Sequence, residues 1–78
     1  MIKVYSSDSC GYCQKLKAYL DSRNINYTVI DVNASEDNAY ELIRLTGQSA
    51  IPVTIIGDET IIGFDKPAID KALENYKN

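Results

Sequence analysis

No histidine and no tryptophan occur among the 78 residues of this chain. Without histidine there is no Cys–His nucleophile pair of the protease type and no imidazole metal ligand. The four glycines are dispersed along the chain, so no phosphate-cradling loop of the Walker type is present. Basic residues are in the minority, with eight Lys and Arg scattered among eleven Asp and Glu for a formal charge of −3. That balance provides no basic face for nucleic acid or for an anionic membrane surface, and neither is expected as a partner. Long apolar runs are missing as well, and none approaches the roughly 20 residues that cross a bilayer. The opening Met1-Ile2-Lys3 leads directly into a strand pattern and lacks the basic and apolar regions of a signal peptide, so a cytoplasmic protein is expected. Ser35-Glu36-Asp37-Asn38 is acidic, but it lacks the spaced ligands and terminal Glu of a calcium loop.

What remains is a sequence that is 45% hydrophobic, enough for a folded unit. A chain of 78 residues holds one modest core, and no repeat, linker or low-complexity tract divides it. A single domain over residues 1–78, acting as a monomer, is expected.

Only two cysteines occur, and two residues separate them: Cys10-Gly11-Tyr12-Cys13. A structural disulfide across so short a loop would stabilise little, and in a reducing compartment such a pair is redox-active or metal-binding. Its setting favours redox chemistry. Ile2-Lys3-Val4-Tyr5 is rich in strand formers, and Ser6-Ser7-Asp8-Ser9 is a run of turn and cap residues. From Gly11 to about Asp21 the spacing of Leu16, Tyr19 and Leu20 predicts a helix with one apolar face. The dithiol therefore stands where a strand hands over to a helix. The partial positive charge and unpaired amides of a helix N-terminus stabilise a thiolate on the first cysteine, while the second, about one turn further in, is buried and held protonated until needed. This assigns Cys10 as nucleophile and Cys13 as resolving thiol. Lys15 and Lys17 read as a solvated helix face.

Further along, Ile25 to Val32 predicts a second strand. Asn33-Ala34-Ser35-Glu36 predicts a capping box, with Asn33 as the cap of a helix running to about Thr46 and ended by Gly47. Tyr40 and Ile43, with Leu42 and Leu45, are expected on its buried side. Ile51 to Ile56 predicts a third strand with Pro52 at its start, where a missing amide donor is tolerated. Gly57-Asp58-Glu59 turns the chain into a fourth strand, Thr60 to Gly63. Asp65 then caps a last helix, with Pro67 in its first turn and Ile69, Ala72, Leu73 and Tyr76 on its apolar face. The order β-α-β-α-β-β-α predicts an α/β, thioredoxin-like fold: a four-stranded mixed sheet with three helices.

These residues carry a resemblance. Cys10-Gly-Tyr-Cys13 is similar to the Cys-Pro-Tyr-Cys of glutaredoxins, Thr46-Gly47-Gln48 leading to Ile51-Pro52 resembles their Thr-Gly-Gln segment before a Val-Pro pair, and Ile62-Gly63-Phe64-Asp65 resembles their Gly-Gly-x-x-Asp. The likeness spans nearly the whole chain. It implies a glutathione-dependent thiol–disulfide oxidoreductase that reduces protein disulfides or glutathione mixed disulfides and has no tightly bound cofactor. It also implies that Pro52 is a cis-proline facing Cys10, with Ile51 offering backbone groups to a bound peptide. Gly63, Phe64 and Asp65 would meet the γ-glutamyl end of glutathione, and Tyr12 and Gln48 would flank its other end. The residue-level alternatives are that Pro52 ends a loop, Gln48 follows a helix cap and Asp65 caps the last helix.

Three departures accompany the likeness. Asp8 lies in the neighbourhood where family members often carry a basic residue, Gly11 replaces the usual proline, and Ile62-Gly63-Phe64-Asp65 has one glycine rather than two. That last segment also resembles the Gly-Phe element of redoxins of the same fold that are reduced by thioredoxin reductase, which becomes the alternative electron source and partner. A further alternative has Cys10 and Cys13 supplying half of a zinc site or bridging an iron–sulfur cluster between two copies. Four ligands are the norm for such sites, and one chain offers two.

Overall fold

The structure is a computed structural model that describes residues 2–76; Met1, ahead of the expected opening strand, and residues 77 and 78 of the expected single domain lie outside the described residues. Short runs rich in β-branched residues form β1 (Ile2–Ser6), β2 (Thr28–Asp31), β3 (Val53–Ile56) and β4 (Glu59–Ile62). Helical spacing produces α1 (Gly11–Ser22), α2 (Glu36–Thr46) and α3 (Lys66–Tyr76). The chain order is the expected β-α-β-α-β-β-α. The strands form one mixed sheet in the order β2-β1-β3-β4, with β1 parallel to β2 and antiparallel to β3, and β3 antiparallel to β4.

Because successive side chains of a strand point to opposite faces, β1 and β3 divide the core in two. Ile2, Val4 and Ile56 join Leu16 and Leu20 of α1 and Ile69, Ala72 and Leu73 of α3 on one face. Tyr5 and Val53 meet Leu42 of α2 on the other, with Ile30, Val32, Ile51 and Ile55 packed around them. The sheet is thus sandwiched between two helices and one. Among the described residues no helix is long and apolar enough to cross a membrane.

Several expectations change; the smaller ones are a third strand that starts at Val53 rather than Ile51, a fourth that runs Glu59–Ile62 rather than Thr60 to Gly63, and a Tyr76 that is exposed rather than part of the buried face of α3. The second strand is Thr28–Asp31 rather than Ile25 to Val32. The Ile25 amide is still engaged with the carbonyl of Leu20 at 3.0 Å, where Asn24 turns the chain with a φ of 58°, so the strand cannot start earlier. The cap of α2 is Ser35, whose hydroxyl accepts the Asn38 N–H at 3.2 Å, and not Asn33. The buried face of α2 differs as well, because the sheet takes one narrow stripe of the helix. Leu42 is buried, and Asn38, Ala39 and Thr46, three or four residues from it, are half-buried. Tyr40, Ile43 and Leu45 lie in solvent.

The sheet register decides where the ends meet. Ser6 pairs with Asp31 and Tyr5 with Val53, so β1 and β2 leave the sheet at the end where β3 enters it. Val53 pairs with Ile62, which brings the end of β4 to the same place. The loop after β1, the β2–α2 turn, Pro52 and the Gly63–Asp65 segment therefore gather at one end of the sheet.

Candidate active site

Cys10 is the N-cap of α1, with an extended backbone (φ −95°, ψ 115°) and a side chain folded over the first turn. Its Sγ accepts the Cys13 N–H at 3.2 Å, a bond that uses one of the amide donors a helix start leaves unpaired. Cys10 is half-buried and Cys13 fully buried, and both are free thiols. The expected division into an accessible and an enclosed cysteine is present. Burial, with added contributions from the neighbouring Cys10 sulfur, pushes the Cys13 thiol up from 9.0 to about 11; the Ser7 amide and the Lys17 charge act the other way. Lys17 is half-buried rather than part of a freely solvated face.

The β1–α1 loop is fixed from several sides. Ser7 O accepts the Cys10 N–H at 3.2 Å. The Ser7 hydroxyl accepts Asn33 Nδ2 at 2.7 Å and lies 3.4 Å from the Ser9 amide and 3.2 Å from the Ser9 hydroxyl. Neither Ser7 nor Asn33 is assigned to the site by sequence reasoning. Ser7 reads as one turn residue among four, and the contact between them spans 26 positions.

Pro52 lies buried just before β3, and the Ile51–Pro52 peptide is cis. Its carbonyl accepts the Gly63 N–H at 2.8 Å, so the proline and the glycine segment are joined directly. Gly63 has a φ of 84°, the left-handed region that glycine occupies without strain. Phe64 turns its ring inward, edge-on to Tyr19 of α1 with centroids 6.0 Å apart. Asp65 accepts the Ala68 N–H at 3.3 Å through its carboxylate and so caps α3.

Tyr12 is 63% exposed beside the dithiol, with Lys15 Nζ 5.2 Å from its ring centre. Gln48 is exposed after the left-handed cap Gly47, and its backbone is held on both sides by the Thr46 hydroxyl, at 3.2 Å from its amide and 2.8 Å from its carbonyl. Among the described residues no group of three or more His, Cys, Asp or Glu side chains is placed to hold a metal ion.

Three likenesses accompany this geometry. The chain is 43% identical over 76 residues to the uncharacterized glutaredoxin-like 8.6 kDa protein of the Clostridium pasteurianum rubredoxin operon, covering 95% of this chain and 99% of that one. Its fold matches the glutaredoxin-like protein NrdH-redoxin from Escherichia coli with a TM-score of 0.79 and 28% identity, over 90% of this chain and 91% of that chain. Buckwheat glutaredoxin, solved as its complex with glutathione, matches with a TM-score of 0.74 and 28% identity, over 96% of this chain and 70% of that chain. The family model for glutaredoxin matches residues 2–61, from β1 through the dithiol to β4, and the chain belongs to the glutaredoxin family.

Proposed function

We propose that this protein is a dithiol thiol–disulfide oxidoreductase using glutathione as its electron source. The observation that carries the reading is the half-buried Cys10 sulfur receiving the Cys13 N–H above a fully buried second thiol. Cys10, as thiolate, attacks one sulfur of a substrate disulfide. That S–S bond breaks, the departing thiolate takes up a proton, and a mixed disulfide forms on Cys10. Cys13 then loses its proton and attacks Cys10 Sγ, releasing the second substrate thiol and leaving a Cys10–Cys13 disulfide. Alternatively, a glutathione thiol attacks the mixed disulfide. Two glutathione thiols return the two electrons. The amides of Phe64 and Asp65, at the head of α3, suit the γ-glutamyl carboxylate. The Gly63 amide is already committed to Pro52.

A second reading has a specific observation in its favour. Phe64 stands where a second glycine would open the segment and packs on Tyr19. The chain also covers 91% of NrdH-redoxin, a glutaredoxin-like protein with a thioredoxin-like activity profile. In this reading thioredoxin reductase supplies the electrons, and the chemistry at Cys10 is unchanged.

The test is steady-state reduction of a small glutathione mixed disulfide, with glutathione and glutathione reductase coupled to NADPH loss, beside a parallel assay with thioredoxin reductase. Cys10→Ser abolishes turnover and Cys13→Ser retains it on glutathione mixed disulfides. Full activity in Cys10→Ser refutes the assignment, and turnover with thioredoxin reductase alone transfers it to the second reading.

A further inference from the structure

Gly63, Phe64 and Asp65 join β4 to α3, and the two outer residues of the three are pinned by hydrogen bonds. The Gly63 N–H goes to Pro52 O at 2.8 Å, while Asp65 receives the Ala68 N–H on its carboxylate at 3.3 Å and the Ile69 N–H on its carbonyl at 2.9 Å. Phe64, between them, is placed by its ring. That ring lies edge-on to half-buried Tyr19 of α1, with centroids 6.0 Å apart, and both pack at the rim of the core shared by α1, α3 and the sheet. A Cβ added to Gly63 would meet nothing within 4 Å, so the space over the turn is open to a ligand.

Tyr19 is itself held from several sides. Its hydroxyl donates to Asp70 Oδ1 of α3 and accepts from Arg23 Nη1 at 3.0 Å, and the same Arg23 nitrogen lies 2.6 Å from Asp70 Oδ1. Lys66 Nζ stands 5.0 Å from the centre of its ring and the Arg23 guanidinium 5.8 Å. One ring thus meets the residues on both sides of Asp65, Phe64 through its edge and Lys66 through its ammonium. The Arg23–Asp70 pair is open to solvent and contributes little by itself, so the ring contacts rather than the ion pair carry the placement. Phe64 stands where a second glycine would leave the segment uncovered, and a side chain of that size leaves room for a ligand only while its ring is turned inward. We propose that Tyr19 is a positioning residue for glutathione, holding the Phe64 ring inward so that the Phe64 and Asp65 amides stay open to the γ-glutamyl carboxylate. Tyr19 lies six residues beyond Cys13 on α1, nearly two helical turns, so this role is separate from the sulfur chemistry.

The inference rests on the glutathione reading, and a double-mutant cycle tests it. A small glutathione mixed disulfide is titrated against each protein at fixed glutathione, with glutathione reductase and NADPH. Separately, reduced protein is mixed with dithiodipyridine, an uncharged aromatic disulfide that has no γ-glutamyl group; attack by Cys10 breaks its S–S bond, forms a mixed disulfide and releases one pyridinethione. In Tyr19→Leu the KM for the glutathione mixed disulfide rises on the order of fivefold and kcat stays within about twofold, the mark of binding lost equally from ground and transition state. Tyr19→Phe, which keeps the ring, restores KM to within about twofold of wild type. The first pyridinethione release has the same rate in all of these proteins. A Phe64→Ala background has no ring to swing outward, and there Tyr19→Leu changes KM by less than about twofold. An unchanged KM in Tyr19→Leu, a loss as large in Tyr19→Phe, an equal slowing of the pyridinethione release, or the same rise in KM in the Phe64→Ala background each overturns the role of Tyr19. A wild-type protein with no Cys10-dependent turnover of the glutathione substrate overturns the glutathione reading and this inference with it, so the two failures are distinct.

Discussion

The resolving step is expected to be the pH-limited half of the reaction. Cys13 is fully buried and its thiol stands at about 11 in the reduced protein, pushed up first by burial and then by its bond to and charge interaction with Cys10. At pH 7 a gap of about four units leaves roughly one Cys13 in ten thousand ionised. Once Cys10 is bound in a mixed disulfide its sulfur is no longer charged, and that part of the shift is withdrawn. Burial remains, so Cys13 stays protonated at neutral pH although less firmly. The release of the second thiol of a small aromatic disulfide, the step in which Cys13 attacks the mixed disulfide, is therefore expected to accelerate nearly tenfold per pH unit between about pH 7 and 9. The Cys10→Ser protein gives an independent reading, since its rate of alkylation by iodoacetamide then reports the Cys13 thiolate alone and is expected still to be rising above pH 9. A second release that is level from about pH 7 to 8.5, or a Cys10→Ser titration complete below pH 8, refutes the argument that burial dominates.

Other perturbations have equally definite outcomes. Leu16, wholly buried between α1 and the sheet, is expected to cost about 2–4 kcal/mol as Leu16→Ala, lowering the melting temperature of so small a domain by more than about 10 °C in a calorimetric scan. Asp65→Ala removes the side-chain cap of α3 and is expected to cost about 1 kcal/mol in urea unfolding. Tyr5 is buried and donates to Glu41 at 3.0 Å, and burial followed by that carboxylate pushes its phenol from 10.0 up to about 12. The raised value means the protonated form is favoured in the fold. Its stabilisation is complete below pH 10 and is lost as pH climbs through 12, on the order of 2–3 kcal/mol. Tyr5→Phe is expected to flatten the fall in urea midpoint over that window, and an identical fall in both proteins refutes the assignment.

The strand and helix order was legible because each element repeats at its own period, and the dithiol because two cysteines at that spacing before a helix have few other uses. What was hidden depended on partners distant in sequence. Ile25 and Tyr27 look like strand residues, yet Ile25 closes the end of α1, while Tyr27 donates to Asp21 at 3.0 Å. In α2 three large apolar residues outweigh Leu42 by composition. The sheet nonetheless receives Leu42 with the smaller Asn38, Ala39 and Thr46, which share its stripe at spacings of three and four residues, a choice of face that composition does not reveal. The Asn33–Ser7 bond could not be read locally. Both residue types serve as caps and turns, and only the pairing of Ser6 with Asp31 brings them together.

The strand order also imposes a sequence of events on synthesis. Cys10 and Cys13 emerge early, in the first sixth of the chain, whereas Pro52 and Gly63 lie two thirds of the way along it or beyond. β1 is a central strand, and its antiparallel partner β3 begins only at Val53. Until then one edge of β1 has nothing to pair with, and the sheet end that carries the dithiol lacks Pro52 and the glycine segment bonded to it. A growing chain therefore carries both thiols before the segments that gather beside them at the sheet end, and that end of the molecule is completed last.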